Sequence, residues 1–219
     1  MRGWLKPVRG VKLTVFDMDG VLVDVDSSWM MVHRAFRVDN EVNFQRYRRG
    51  EIGFEEFMRS DIALWGDRKL SEVKAVLDRA PLMPGASETV RALKEAGCIT
   101  AIISSGISLL AERVQAQLSI DYVMANRILA DGKGKLTGEG EVQVELGRKL
   151  EALERLTGEL GLKPYHCAVV GDSRWDVPMF KASALSIAFN PKDDEAARAA
   201  DFVVKGRNLK QVLSYLLEG

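Results

Sequence analysis

The sequence predicts an α/β fold: a doubly wound, mainly parallel sheet with a small helical unit inserted after the first strand. Three observations carry this. From residue 81 onward, short apolar runs alternate with amphipathic stretches. The apolar runs are dense in Val, Ile, Ala and Phe, as expected when helices cover both faces of a sheet. Residues 27–79 break the alternation with helical spacing and no convincing strand, and that stretch is too long for a single crossover. The expected division is therefore a core of residues 1–24 and 81–219, with a helical insertion over 25–80.

Each element has its own signal. VKLTVF (11–16) is an apolar run ending at Asp17, a central strand with polar groups at its carboxyl end. SSWMMVHRAF, FEEFMRSDIALW and LSEVKAVL supply the helices of the insertion. Pro84-Gly85 restarts the alternation, and ASETVRALKEAG is a helix closed by Gly97. CITAIIS is a buried strand ending at Ser104, and ISLLAERVQAQL is a helix. DYVMAN is a strand, and RILADGKGKLTG reads as a hairpin turning at Gly132 and Gly134. VELGRKLEALERLTGELG predicts one long helix, and CAVVG a strand that ends at Asp172. VPMFKAS, ALSIAF, DDEAARAA and DFVV continue as helix, strand, helix and strand, and LKQVLSYLLEG closes as a helix.

The length of 219 residues is enough for one core plus a small accessory unit. Lys and Arg total 31 and so do Asp and Glu, so no global charge draws the chain to nucleic acid or an anionic membrane. No run approaches the ~20 apolar residues of a membrane span, and MRGWLKPVRG has no leader-like pattern, so the expected compartment is cytoplasmic. Cys98 and Cys167 sit in apolar runs and read as buried thiols rather than a disulfide. His33 and His166 stand far apart without a ligand cluster, which disfavours histidine-rich zinc chemistry and a serine–histidine triad.

The chemistry-bearing residues follow strands: Asp17-Met18-Asp19-Gly20, Ser104-Ser105-Gly106, and Gly171-Asp172 with Asp176. Lys149 adds a cation near a helix start. Each signal alone is weak, since Asp-x-Asp, Ser-Ser-Gly and Gly-Asp also serve turns and caps. In an open parallel sheet, however, loops at the carboxyl ends converge on one crevice. Four acids gathered there repel one another unless a cation offsets them, and hard oxygen ligands suit Mg²⁺. Ser104, the amides of Ser105 and Gly106, and Lys149 supply donors for an anion, so the set fits a phosphate.

These motifs resemble the haloacid dehalogenase superfamily, and within it the phosphoserine phosphatase type, over nearly the whole chain. The matching stretches are Asp17-Met18-Asp19-Gly20-Val21-Leu22-Val23, Ile102-Ile103-Ser104, Lys149, and Gly171-Asp172-Ser173-Arg174-Trp175-Asp176. Asn126-Arg127-Ile128-Leu129 and Lys135-Leu136-Thr137-Gly138 are similar to that subgroup as well. The resemblance implies a Mg²⁺-dependent phosphatase acting on a small phosphorylated metabolite, with Asp17 as nucleophile and Asp19 as acid and base. It implies that Asp17, the backbone carbonyl of Asp19, Asp172 and Asp176 serve the metal. Ser104 and Lys149 grip phosphate, and Ser105 and Gly106 assist. The insertion becomes a cap over the site.

Two departures bear on the substrate. The acidic position that binds a substrate amine in the subgroup corresponds to Asp26 here, shorter than the usual Glu. The cap arginine that binds a substrate carboxylate corresponds to Asp61, with Arg59 two residues earlier on a different helix face. Trp175 stands where the subgroup has Asn. These changes touch phosphoserine specificity more than phosphatase chemistry. Two alternatives remain open at this level. A sugar phosphomutase would return the phosphate to a bound sugar; a non-catalytic protein on the same fold would bind a phosphate ligand without turnover. No oligomeric state follows from the sequence.

Overall fold

A computed structural model describes residues 5–8 and 10–218; residues 1–4 and 9 of the stretch read for a leader, and residue 219 at the end of the last predicted helix, lie outside the described residues. The strands in chain order are β1 (Lys6–Pro7), β2 (Leu13–Phe16), β3 (Ile99–Ile107), β4 (Tyr122–Ala130), β5 (Leu136–Glu141), β6 (Cys167–Gly171), β7 (Leu185–Phe189), β8 (Phe202–Val204) and β9 (Leu217–Glu218). The helices are α1 (Ser28–Phe36), α2 (Glu41–Arg48), α3 (Phe54–Ala63), α4 (Leu70–Leu77), α5 (Ala86–Glu95), α6 (Ser108–Leu118), α7 (Lys149–Glu159), α8 (Val177–Ala182), α9 (Asp194–Ala199) and α10 (Leu213–Leu216).

The main sheet has the order β5-β4-β3-β2-β6-β7-β8. Every pairing in it is parallel except β4 with β5, which form the hairpin predicted around Gly132 and Gly134. Chain direction across the sheet reverses at β2, which pairs with β3 on one side and β6 on the other. That switch point opens the crevice beyond the carboxyl ends of β2, β3 and β6. Strand periodicity explains the core. Leu13 and Val15 face one apolar cluster with Ala101, Ile103 and Val169, and Phe16 faces the other with Ile102 and Val170.

The insertion leaves and rejoins the sheet through adjacent connectors. Asp24 N donates to Pro81 O at 2.9 Å, and Met83 N donates to Leu22 O at 2.8 Å. Its helices are not equivalent. Val32, Met58, Ile62, Trp65, Val73 and Leu77 belong to the same apolar cluster as the core residues Val21, Leu22 and Ile107. Ile52, Phe54 and Phe57 instead form a small separate cluster with Phe44, Tyr47 and Leu146.

Several expectations need correction. β3 runs past Ser104 to Ile107, with its pairing to β4 shifted between Ile103 and Ile107. α7 starts at Lys149, not Val144, because residues 143 and 144 donate their N–H groups to Asn126 Oδ1 rather than to a helix. α2 was not anticipated; its sequence EVNFQRYR buries no residue and so lacks a clear apolar stripe. The predicted closing helix is a 3₁₀ turn, Leu209–Val212, then α10, and then β9, which pairs antiparallel with β1.

Candidate active site

Asp17 follows the last residue of β2. Its backbone N–H donates to Val170 O on β6, and its carboxylate accepts from Met18 N at 2.7 Å. The backbone then turns sharply at Gly20, with φ 84°. A Cβ there would lie 1.9 Å from Asp172 Oδ2, so only glycine lets the two loops approach this closely. Gly106 meets the same demand from β3: a Cβ would strike Met18 Cε and Ser28 Oγ, each at 2.7 Å.

The structure brings the predicted residues together. Lys149 is 2% exposed, and its ammonium lies 2.9 Å from Asp17 Oδ2 and 2.7 Å from Asp176 Oδ1. Asp17, Asp172 and Asp176 each place a carboxylate oxygen within 4.8 Å of the other two. The Asp19 side chain is not in that trio. Ser28 holds it instead, donating from its N–H at 2.8 Å and from its hydroxyl at 2.7 Å to Asp19 Oδ2. Asp19 Oδ1 is buried with no hydrogen-bond partner.

Asp176 is fully engaged below the cavity. Its Oδ2 accepts from Asp172 N, Ser173 N and Ser173 Oγ, while Oδ1 accepts from Lys149. This geometry makes it the anchor of the 171–176 loop. Ser104 is buried, and its hydroxyl accepts from Gly106 N at 3.1 Å. The Ser105 carbonyl accepts from Trp29 Nε1 and Asn126 Nδ2. Asp26 lies at the rim with a largely exposed side chain, 4.0 Å from Arg34.

Lys192, after β7, was missed by sequence reasoning. Its ammonium lies 2.7 Å from Asp172 Oδ2, and it donates to Asp26 O at 2.8 Å. The one signal was position, since it follows a strand of the same sheet as the other site residues. Asn126 was noted only as part of a motif. Its side chain ties the Ser105 carbonyl to residues 143 and 144, and so fixes the approach to Lys149.

Electrostatics test whether a cation fits. Four carboxylates, Asp17, Asp19, Asp172 and Asp176, face two ammonium groups, Lys149 and Lys192, leaving two negative charges. Burial, with the charge of Asp17 adding to it, pushes Asp19 up to about 6 against the opposing hydrogen bonds of Ser28. Asp172 is raised as well, by burial and then by Asp17, with Lys192 opposing. Burial disfavours the Lys149 ammonium, but Asp17 and Asp176 outweigh it and hold its pKa above the usual lysine value. Three carboxylates that offer only oxygen ligands and place them within 4.8 Å of one another fit a hard divalent cation such as Mg²⁺.

A cavity of about 490 Å³ opens above this floor. Asp17, Asp19, Ser104, Lys149 and Asp172 line it from the strand ends and the start of α7, Trp29, Phe44, Phe57 and Met58 from the insertion, and Leu146 and Trp175 from core loops.

Residues 11–183 match the model of the haloacid dehalogenase-like hydrolases. The chain belongs to that family. It is 35% identical over 212 residues to the phosphoserine phosphatase of Idiomarina loihiensis, covering 93% of each chain. It is 32% identical over 209 residues to the phosphoserine phosphatase of Methanocaldococcus jannaschii, covering 94% of this chain and 97% of that one. Among solved structures it resembles a phospho-aspartyl intermediate analogue of phosphoserine phosphatase, with TM-score 0.80 and 30% identity over 94% of this chain and 99% of that one. A substrate-bound phosphoserine phosphatase complex matches with TM-score 0.80 and 29% identity, covering 94% of this chain and 98% of that one. Among the described residues, no helix is long and apolar enough to cross a membrane.

Proposed function

We propose that the protein hydrolyses a small phosphomonoester through an aspartyl-phosphate on Asp17. The observation that carries this is the placement of Asp17 at the cavity base, against the Lys149 ammonium and beside a second carboxylate of raised pKa. An anionic nucleophile meets an anionic phosphate only where positive charge offsets both. Lys149 supplies part of that charge, and Ser104 with Lys149 orients the nonbridging oxygens. Asp17 and Asp172, with the Asp19 carbonyl, would hold Mg²⁺, which lowers the charge of the phosphoryl group when bound.

The Asp17 carboxylate forms a bond to phosphorus as the ester bond breaks, and Asp19 gives its proton to the departing alcohol. Asp19 then takes a proton from water, whose oxygen attacks phosphorus, releasing inorganic phosphate and restoring Asp17. Ser28 fits Asp19 for this work by fixing one oxygen and leaving Oδ1 free. Residues 25–80 act as the cap that screens the reaction from water.

The test is phosphate release by Asp17→Asn. With the fold intact by circular dichroism, the substitution lowers release by at least ~10⁴-fold. Unchanged release rejects Asp17 as nucleophile.

A further inference from the structure

The relatives are named for phosphoserine, whose alcohol half carries an ammonium and a carboxylate. We infer that this cavity instead takes a phosphomonoester of a cationic alcohol with no carboxylate; the inference rests on the phosphatase reading and concerns only the leaving group. A carboxylate deep in a cavity needs a cation or a set of free donors. Among the described residues lining the cavity, the basic ones are Lys149 and Lys192, and both lie at the base, committed to Asp17, Asp176 and Asp172. Arg59 gives no help. It pairs with Glu139 on β5 and with Glu55, and it does not line the cavity.

The upper wall is anionic instead. Asp61 is 2% exposed and accepts from Asn40 Nδ2 at 2.7 Å, Asn43 Nδ2 at 3.0 Å and His33 Nε2 at 3.1 Å. The histidine adds no charge. Trp65 Nε1, which can only donate, points at His33 Nδ1 at 2.9 Å, so Nδ1 is the acceptor and Nε2 carries the single proton. Asp61 is therefore met by neutral donors and, among the described residues, has no lysine or arginine paired to it. Asp39 and Glu41 add two exposed carboxylates at the mouth, and Asp26 a third.

The rings of Trp29, Phe44, Phe57 and Trp175 line the same cavity. Aromatic faces with carboxylates behind them attract an ammonium, above all a methylated one whose hydration is weak. The same wall repels the carboxylate of phosphoserine and, among the described residues, sets no lysine or arginine against it. Charge and shape agree on one class of alcohol: apolar in body, positive at its far end.

The experiment compares kcat/KM for four esters in Mg²⁺. O-Phosphoethanolamine and phosphoserine differ only by the carboxylate. Phosphocholine and 3,3-dimethylbutyl phosphate differ only by a nitrogen or a carbon at the centre of the bulky group, hence by charge at constant shape. We expect phosphoethanolamine to exceed phosphoserine by about tenfold or more, and phosphocholine to exceed its neutral isostere by about threefold or more. Phosphoserine equal to or better than phosphoethanolamine overturns the inference, as does a neutral isostere equal to phosphocholine. The exposed pair Asp39→Asn with Glu41→Gln lowers kcat/KM for phosphocholine and leaves the isostere within about twofold; equal effects on both overturn the role of the wall. p-Nitrophenyl phosphate separates the two levels. If it is hydrolysed while phosphoserine wins, only the leaving-group assignment falls. If none of the five esters releases phosphate, the phosphatase reading falls and takes the inference with it.

Discussion

The two ends of the cavity solve the same problem differently. At the base, buried carboxylates face buried ammonium groups: Asp17 and Asp176 share Lys149, and Asp172 faces Lys192. At the upper wall, the buried carboxylate of Asp61 is met by two amides and a neutral imidazole. Neutral donors fix a carboxylate in place without setting a cation against it. Ion pairs that leave net charge uncompensated, with Asp19 and Asp172 raised, remain receptive to a cation and a dianion that come and go. The base is built for exchange and the wall for permanence.

Substitutions can break this contrast. Asp19→Asn acts on the chemistry alone and lowers kcat by ~10²–10⁴-fold, with the smaller loss for esters whose alcohol leaves readily as the anion; steady-state phosphate release checks it. Lys149→Met leaves Asp17 and Asp176 buried without their shared cation, and costs ~3–5 kcal/mol of stability in chelator-treated buffer, read from the urea midpoint. A loss under 1 kcal/mol would mean that the base does not depend on that ammonium. At the wall, Trp65→Phe removes one neutral donor from His33 and costs ~1–3 kcal/mol, again by urea unfolding.

Metal dependence sharpens the comparison further. Millimolar Mg²⁺ raises the thermal midpoint of the natural sequence by about 3 °C, and Asp172→Asn abolishes that shift. Asn43→Ala at the wall leaves the Mg²⁺ shift in place while lowering both midpoints. A shift that survives in Asp172→Asn would remove Asp172 from the cation site.

The smallest effect lies away from both ends. Burial pushes the Cys167 thiol up to about 12 and raises Cys98 as well. The unfolded chain therefore loses these protons near their ordinary value of 9, where the folded chain still holds them. Their contribution is complete below pH 9 and declines as pH rises from there toward 12. Stability of Cys167→Ala should fall less steeply with pH over this window than that of the natural sequence, as measured by urea midpoints at several pH values.

Most of the sheet was legible because parallel strands buried on both faces leave unbroken apolar runs, as in VKLTVF and CAVVG. Site residues were legible where they immediately follow such runs, as Asp17 and Asp172 do. The misses have physical causes. α2 is too polar on every face to announce itself, and Glu145 to Arg148 look helical until Asn126 captures the N–H groups just before them. Lys192 looks like any surface lysine, since nothing local says that its ammonium reaches Asp172 and the Asp26 carbonyl across the fold. Asp61 read simply as a lost arginine. That its charge would be secured by His33, Asn40 and Asn43 depends on helix packing that no short motif encodes.

The uneven sharing of apolar surface within the insertion decides what holds each part of the enclosure in place. Val32 on α1 and Val73 and Leu77 on α4 are sealed into the main cluster, and parting each from it would cost ~1.5–3 kcal/mol. α2 has no fully buried residue, yet Phe44 from it and Asn40 before it form part of the enclosure, and Phe44 and Tyr47 pack only on the separate small cluster. Phe44 and Tyr47 pack on Phe54 and Phe57, so this part of the enclosure is braced by rings rather than by the main core, and its shape depends on that small aromatic cluster.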